Sequence, residues 1–230
     1  MRVIVAGDLH GDFDSLNELI ESQSPDYILQ CGDFGYYPKE CGGWPPRDPS
    51  IIPGDCKVYF ADGNHEDHEA LALAVSEVRL EAPRNVFYQP RGSLLALPDG
   101  RNVLFVGGAE ATPPREPIFG VLIEDSPVPP LLIDVLGKTP SDTKIDVVIS
   151  HSCPAAFDLK ASAPHGYEPH AWASKFNDPA RAVLDQILLI YRPKRWYFGH
   201  FHVHETGVSG DCEWCALGYS EGEENWWAYL

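Results

Sequence analysis

Apolar and polar positions sort the first third of the chain into alternating strand and helix. The segment from Arg2 to Ala6 ends in the unbroken apolar run Val3-Ile4-Val5-Ala6, which is how a strand buried on both faces reads. From Asp12 to Glu21 the apolar residues recur at helical spacing, with Leu16, Leu19 and Ile20 on one face, and Tyr27 to Cys31 supplies a second strand. These three segments make a βαβ unit. After a loop rich in Gly and Pro, Gly35 to Gly54, the pattern predicts a strand at Lys57 to Ala61 and a helix at Glu66 to Val78 that turns Leu71 and Val75 inward.

Beyond this point the alternation changes. Val86 to Tyr88, Ser93 to Leu97 and Asn102 to Val106 are short apolar runs separated by Pro-Arg-Gly and Pro-Asp-Gly turns, a pattern that predicts a meander. Residues 109–130 hold six of the 21 prolines and no periodicity, so a surface loop is expected there. A short helix (Leu131 to Leu136), a strand (Ile145 to Ser150), a helix (Pro179 to Tyr191), a strand (Arg195 to Phe198) and a final hairpin (Glu205 to Tyr219) complete the reading. No repeat or linker divides the chain, so residues 1–230 are expected to form a single domain with the proline-rich stretch as an insertion.

The chemistry gathers where predicted strands end. Asp8-Leu9-His10, Gly32-Asp33, Gly63-Asn64-His65-Glu66, Ser150-His151 and Gly199-His200-Phe201-His202 each follow a strand with residues suited to a metal. In α/β sheets the crevice beyond the carboxyl ends of the strands collects ligands, so residues far apart in sequence converge there. Carboxylate, imidazole and amide oxygen together suit a borderline metal such as Mn, Fe or Zn. Glycine at positions 7, 11, 32, 63 and 199 lets the backbone turn or approach closely as each strand ends. Taken singly, each of these residues is better explained as a capped turn or a core histidine, but five such segments in order are not.

Asp-x-His, Gly-Asp, Gly-Asn-His-Glu, a later His and Gly-His-x-His together resemble the signature of calcineurin-like metallophosphoesterases, and the likeness spans residues 8–202. It implies an α/β fold of four layers, an α/β/β/α sandwich of two mixed sheets. It also implies two divalent ions about 3.5–4 Å apart, Mn²⁺ first with Fe, Zn or Ni as alternatives. By the same likeness Asp8, His10 and His202 hold one ion, Asn64, His151 and His200 hold the other, and Asp33 bridges them. Two cations sharing a carboxylate bring the pKa of a bridging water toward neutrality, so the expected nucleophile is a hydroxide between them. His65 is left over as a ligand and takes the role of protonating or stabilising the leaving oxygen; the catalytic residues are thus His65 and Asp33.

One departure changes the expected substrate. The protein serine/threonine phosphatase branch continues its Gly-Asp motif into an Asp three residues on and then an Arg, and here Tyr36 and Tyr37 stand in those places. A dianionic monoester gains most from a bidentate guanidinium, so a phosphodiester is slightly favoured over a monoester. Arg115, in the insertion, is the first choice for a replacement contact, ahead of Arg47, Lys160 and His165. Phe34, Tyr36, Tyr37, Trp44, Trp226 and Trp227 could stack on an aromatic substituent, cover the core, or form a contact between copies of the chain.

Composition narrows the partners. A formal charge of -17 with 17 basic residues that form no cluster disfavours a nucleic acid polymer, which is held through Lys and Arg. A small phosphoester is the expected substrate. No apolar run approaches the ~18 residues of a membrane span, and the short first strand does not read as a signal peptide, so the expected location is the cytoplasm. The six cysteines lack the spacing of a disulfide framework, although Cys212-x-x-Cys215 has the spacing of half a zinc site. Two rival functions remain: a nuclease acting on DNA or RNA ends, and a catalytically silent scaffold, the latter opposed by the presence of every ligand position and of His65.

Overall fold

The computed structural model describes residues 1–36, 51–77, 84–109, 132–160, 178–222 and 225–230. Eleven strands and four helices occur among them. The first sheet has the order β11-β1-β2-β3-β4, from Trp227–Tyr229, Val3–Ala6, Tyr27–Gln30, Lys57–Phe60 and Val86–Tyr88. The second has the order β5-β6-β7-β8-β10-β9, from Ser93–Ala96, Asn102–Val106, Val147–Ser150, Arg195–Phe198, Cys212–Ala216 and Glu205–Ser209. In both sheets the central strands are parallel and an antiparallel strand closes at least one edge. Helices α1 (Phe13–Gln23), α2 (His68–Glu77), α3 (Leu132–Lys138) and α4 (Ala180–Tyr191) lie on the outer faces.

Three apolar layers follow from strand alternation. Successive side chains of β1 point to opposite faces, so Val3 and Val5 meet Val103, Phe105, Val147 and Ile149 between the sheets. Ile4 and Ala6 face the other way, against Leu16 and Leu19 of α1 and Ala70 and Leu71 of α2. On the far side Leu104, Val148, Trp196 and Phe198 pack under Val135 of α3 and Leu184 and Ile187 of α4. Two mixed sheets face to face between helical layers is the expected α/β/β/α sandwich. It explains why the central strands read as continuous apolar runs: neither face meets water. Each fully buried Leu or Phe here contributes about 1.5–3 kcal/mol.

Several expectations are corrected. The three short strands after α2 are not a meander. β4 pairs in parallel with β3 in the first sheet, and β5 and β6 form a hairpin that starts the second. The turn signals were real, but the first of them marks the passage between sheets. In α2 the inward residues are Ala70, Leu71 and Ala74, while Val75 is 49% exposed, because at about 100° per residue it falls to the side of the stripe that meets the sheet. Strand β11 had no sequence signal; it adds to the edge of β1, pairing Ile4 with Tyr229 and Ala6 with Trp227. Trp226 and Trp227 accordingly pack on the α1 side of the core. Cys212 lies in the layer under α4 and Cys215 between the sheets, since residues three apart on a strand face opposite ways, so they do not share a zinc site. The five described cysteines are free thiols.

Helix ends are sealed by ordinary means. The Asp12 carboxylate accepts from the Ser15 N–H at 3.2 Å at the start of α1, placing the cap immediately after His10-Gly11. Among the described residues, no helix is long and apolar enough to cross a membrane.

Candidate metal centre

All five motif segments leave their strands at one edge of the sandwich, and their side chains meet there. Asp8 and His10 follow β1, Asp33 follows β2, Asn64 and His65 follow β3, His151 follows β7, and His200 and His202 follow β8. The donor atoms of Asp8, His10, Asp33 and His202 lie within 4.8 Å of one another. His10 Nε2 is 3.0 Å from His202 Nε2 and 3.8 Å from Asp33 Oδ2, and His202 Nε2 is 3.0 Å from Asp8 Oδ2. On the other side of Asp33, His151 Nε2 is 3.0 Å from Asn64 Oδ1 and 3.4 Å from Asp33 Oδ1. The His200 ring stands edge-on to His151, centroids 4.8 Å apart. Asp33 therefore turns one carboxylate oxygen toward each group.

The loops reach this geometry through backbone that L-residues rarely adopt. His10, Asp33, His200 and His202 have φ of 49°, 53°, 66° and 54°. Each such residue costs on the order of 1–2 kcal/mol, and persists because its surroundings over-determine it. The Asp33 carbonyl accepts from both Leu9 N–H (3.0 Å) and His10 N–H (2.8 Å), locking the first two loops together. The His200 N–H donates to Asp8 and the His65 N–H donates to Asp33 Oδ1 at 2.8 Å. Gly63 and Gly199 make room for these carboxylates: a Cβ on Gly63 would overlap Asp33 Oδ1, and one on Gly199 would overlap Asp8 Oδ1.

Glu66 is the structural tie that sequence reasoning passed over. It is completely buried; Oε1 accepts from Phe34 N–H (2.5 Å) and Gly35 N–H (3.2 Å), and Oε2 from Gly63 N–H (2.9 Å). One carboxylate thus binds the loop of Asp33 to the loop of Asn64. Burial and the neighbouring Asp33 push its carboxyl up to about 8, against the pull of the Gly63 N–H. Its place as fourth residue of Gly-Asn-His-Glu was the available clue. Asp62, also missed, is buried and takes the Arg91 guanidinium at 2.8 and 2.7 Å and the Tyr88 hydroxyl at 3.1 Å. Its carbonyl accepts from Gly108 N–H at 2.7 Å, stitching the ends of the two sheets beside Asn64.

The electrostatics fit cations. Burial opposes a proton on His151, yet the carboxylates of Asp33 and Asp8 outweigh it and push the imidazole up to about 10. Burial wins at His10, lowering it to about 4 in spite of Asp33 and Asp8, and at His200, which lies well below its ordinary value. At His10 and His200 the neutral imidazole is the form that binds metal, while the carboxylates that hold a proton on His151 favour positive charge at that position. Donors at roughly 2.0–2.2 Å from a common ion stand roughly 3–3.5 Å apart, which is the spacing of the closer pairs in each group. Asp8, His10, Asp33 and His202 form a candidate site for a metal ion, and Asn64, His151 and His200 cluster on the other side of Asp33.

His65 is brought to the rim, its ring centroid 5.3 Å from that of His10. The substrate contacts fare differently. Tyr36 is only 7% exposed and packs near Phe60, centroids 6.2 Å apart, so its ring belongs to the core and offers a substrate almost no face. Arg115 and Tyr37 lie outside the described residues, as do Arg47, Trp44 and His165. Lys160 is exposed.

Residues 1–204 match the family model described as calcineurin-like phosphoesterase. One solved structure superposes with a TM-score of 0.62 at 14% identity, covering 100% of this chain and 94% of the other. GAP50, the anchor in the inner membrane complex of Plasmodium, superposes with a TM-score of 0.53 at 13% identity (98% and 75% covered). TT1561 of Thermus thermophilus does so with 0.52 at 13% identity (95% and 89% covered). At these identities the likeness speaks for the fold alone. A search of curated proteins gave no match.

Proposed function

The chain belongs to the calcineurin-like phosphoesterase family, and from that premise we propose that it is a metal-dependent hydrolase of small phosphate esters, phosphodiesters before monoesters, working with two Mn²⁺ ions in the cytoplasm. The observation that carries the reading is Asp33 between two donor groups, Oδ2 3.8 Å from His10 Nε2 and Oδ1 3.4 Å from His151 Nε2. Two divalent ions held there would acidify water and neutralise charge on the phosphoryl oxygens.

The chain's own residues supply the rest. Asp8 and Asp33, buried and fixed by the N–H groups of His200 and His65, are acceptors with no freedom to swing away. His65 stands part-buried at the rim with its backbone tied to Asp33, in place to give a proton from its imidazole to the leaving oxygen. The diester preference rests on the sequence position of Tyr37, where the serine/threonine phosphatases carry an Arg that clamps a dianionic phosphate. The chain's acidity favours small substrates over nucleic acid polymers.

The test is to strip the purified protein with chelator, reload it with Mn²⁺, and compare bis(4-nitrophenyl) phosphate with 4-nitrophenyl phosphate. Restored turnover with the diester faster is expected. Faster monoester turnover would remove the diester preference. No turnover by a protein that has taken up two ions would favour the silent scaffold.

A further inference from the structure

Tyr219 follows β10, outside every motif, yet it touches three residues of two of them. Its ring stacks on the His202 imidazole, with centroids 4.5 Å apart and planes at 28°, and stands edge-on to His10 at 6.5 Å. Its backbone forms a parallel bridge with Asp8, and the next N–H, of Ser220, donates to the Asp8 carbonyl at 3.0 Å. There is no slack in this joint. A Cβ on Gly7 would overlap the Gly218 carbonyl, so the backbone before Tyr219 packs closely on β1, and one on Gly222 would meet the edge of the Tyr219 ring at 2.6 Å.

We propose that Tyr219 is a positioning residue for the outer ion, the one that Asp8, His10 and His202 would hold. The inference rests on the two-ion reading above. His202 lies in left-handed backbone at the partly exposed rim, its Nε2 turned toward Asp8 and His10. The stacked ring sets the plane of that imidazole, and so the direction of the Nε2 lone pair, while the backbone bridge sets Asp8. Neighbours that orient a ligand typically change metal affinity 10–100-fold when removed. The effect is confined to the outer ion, because Asn64, His151 and His200 are oriented by other partners, among them the Cys31 carbonyl 3.0 Å from His151 Nδ1.

The test is calorimetric titration of chelator-stripped protein with Mn²⁺, paired with electron paramagnetic resonance of the loaded protein. Wild type and Tyr219→Phe should take up two ions and show a spin-coupled pair. Tyr219→Leu should keep one ion at wild-type affinity, bind the other about tenfold more weakly, and show an uncoupled Mn²⁺ signal at one to two equivalents. Two ions of unchanged affinity in Tyr219→Leu would overturn the inference and leave the two-ion reading standing. Equal weakening of both ions would also overturn it, since the ring would then be supporting the fold at large. Fewer than two ions in the wild type would overturn the reading and the inference together.

Discussion

The two halves of the centre differ in their access to water. His10 and His202 keep side-chain exposures of 24% and 17%, whereas His151 is fully buried and Asn64 and His200 are 5% and 3% exposed. The inner half sits where the two sheets meet, its imidazole tied to the Cys31 carbonyl of the first sheet although His151 comes from the second. The outer half hangs on loops held by Asp8, Asp33 and Tyr219. An inner ion would therefore be part of the joint between sheets, while an outer ion would face substrate and solvent.

The sharpest way to break this comparison is the residue common to both halves. Asp33→Asn should cut kcat/KM by about 10⁴-fold or more and lower metal content below two ions per chain, by elemental analysis. Retention of both ions would show that the halves do not depend on a shared carboxylate. His65→Ala comes next: kcat should fall about 10²–10³-fold with two ions still bound, if His65 has the proposed role of serving the leaving group. The loss should shrink for esters whose leaving groups need no proton.

Glu66→Gln probes the tie between the loops without touching a donor. An amide NH₂ facing an N–H donor leaves a buried group unsatisfied, so unfolding should become easier by about 1–3 kcal/mol in denaturant titration, with activity reduced by roughly tenfold. Slow chelation should then sharpen the contrast between halves: wild-type protein loses its ions in two phases, outer first, and Glu66→Gln brings the phases together.

The smallest effect lies away from both halves. Burial works to raise the Asp146 carboxyl, but the Lys144 ammonium at 2.7 Å and the Asn102 N–H at 3.0 Å outweigh it and hold it below its ordinary range. A group depressed in the folded state stabilises above its unfolded pKa and loses that contribution as pH falls through the folded value. Asp146→Asn should cost about 0.5–1 kcal/mol at pH 7, discounted for an exposed lysine partner, with the gap closing below about pH 4. Ion content should not change.

The order of parallel strands and helices was legible because burial on both faces leaves continuous apolar runs, and the side chains that gather at one edge were legible because strand ends in such folds carry short polar motifs. Asp8, His10, Asp33, Asn64, His65, His151, His200 and His202 could all be named before any coordinates. What could not be read was anything that depends on which surfaces meet. The passage of the chain between sheets after β4, the addition of β11 beside β1, and the opposite facing of Cys212 and Cys215 are decided by pairing partners, on which local periodicity is silent. Tyr36 looked like a substrate contact by its neighbours in sequence, and is core by its neighbours in space.

The sequence by itself determined which donors this protein has and that they sit at strand ends, because residue chemistry and strand period are local properties. Tertiary structure alone decided how those donors divide into an open and a sealed half, that Glu66 and Asp62 brace them, and that Tyr219 leans on His202. Burial, ring orientation and bracing are relations between distant segments, and they exist only once the two sheets have closed on each other.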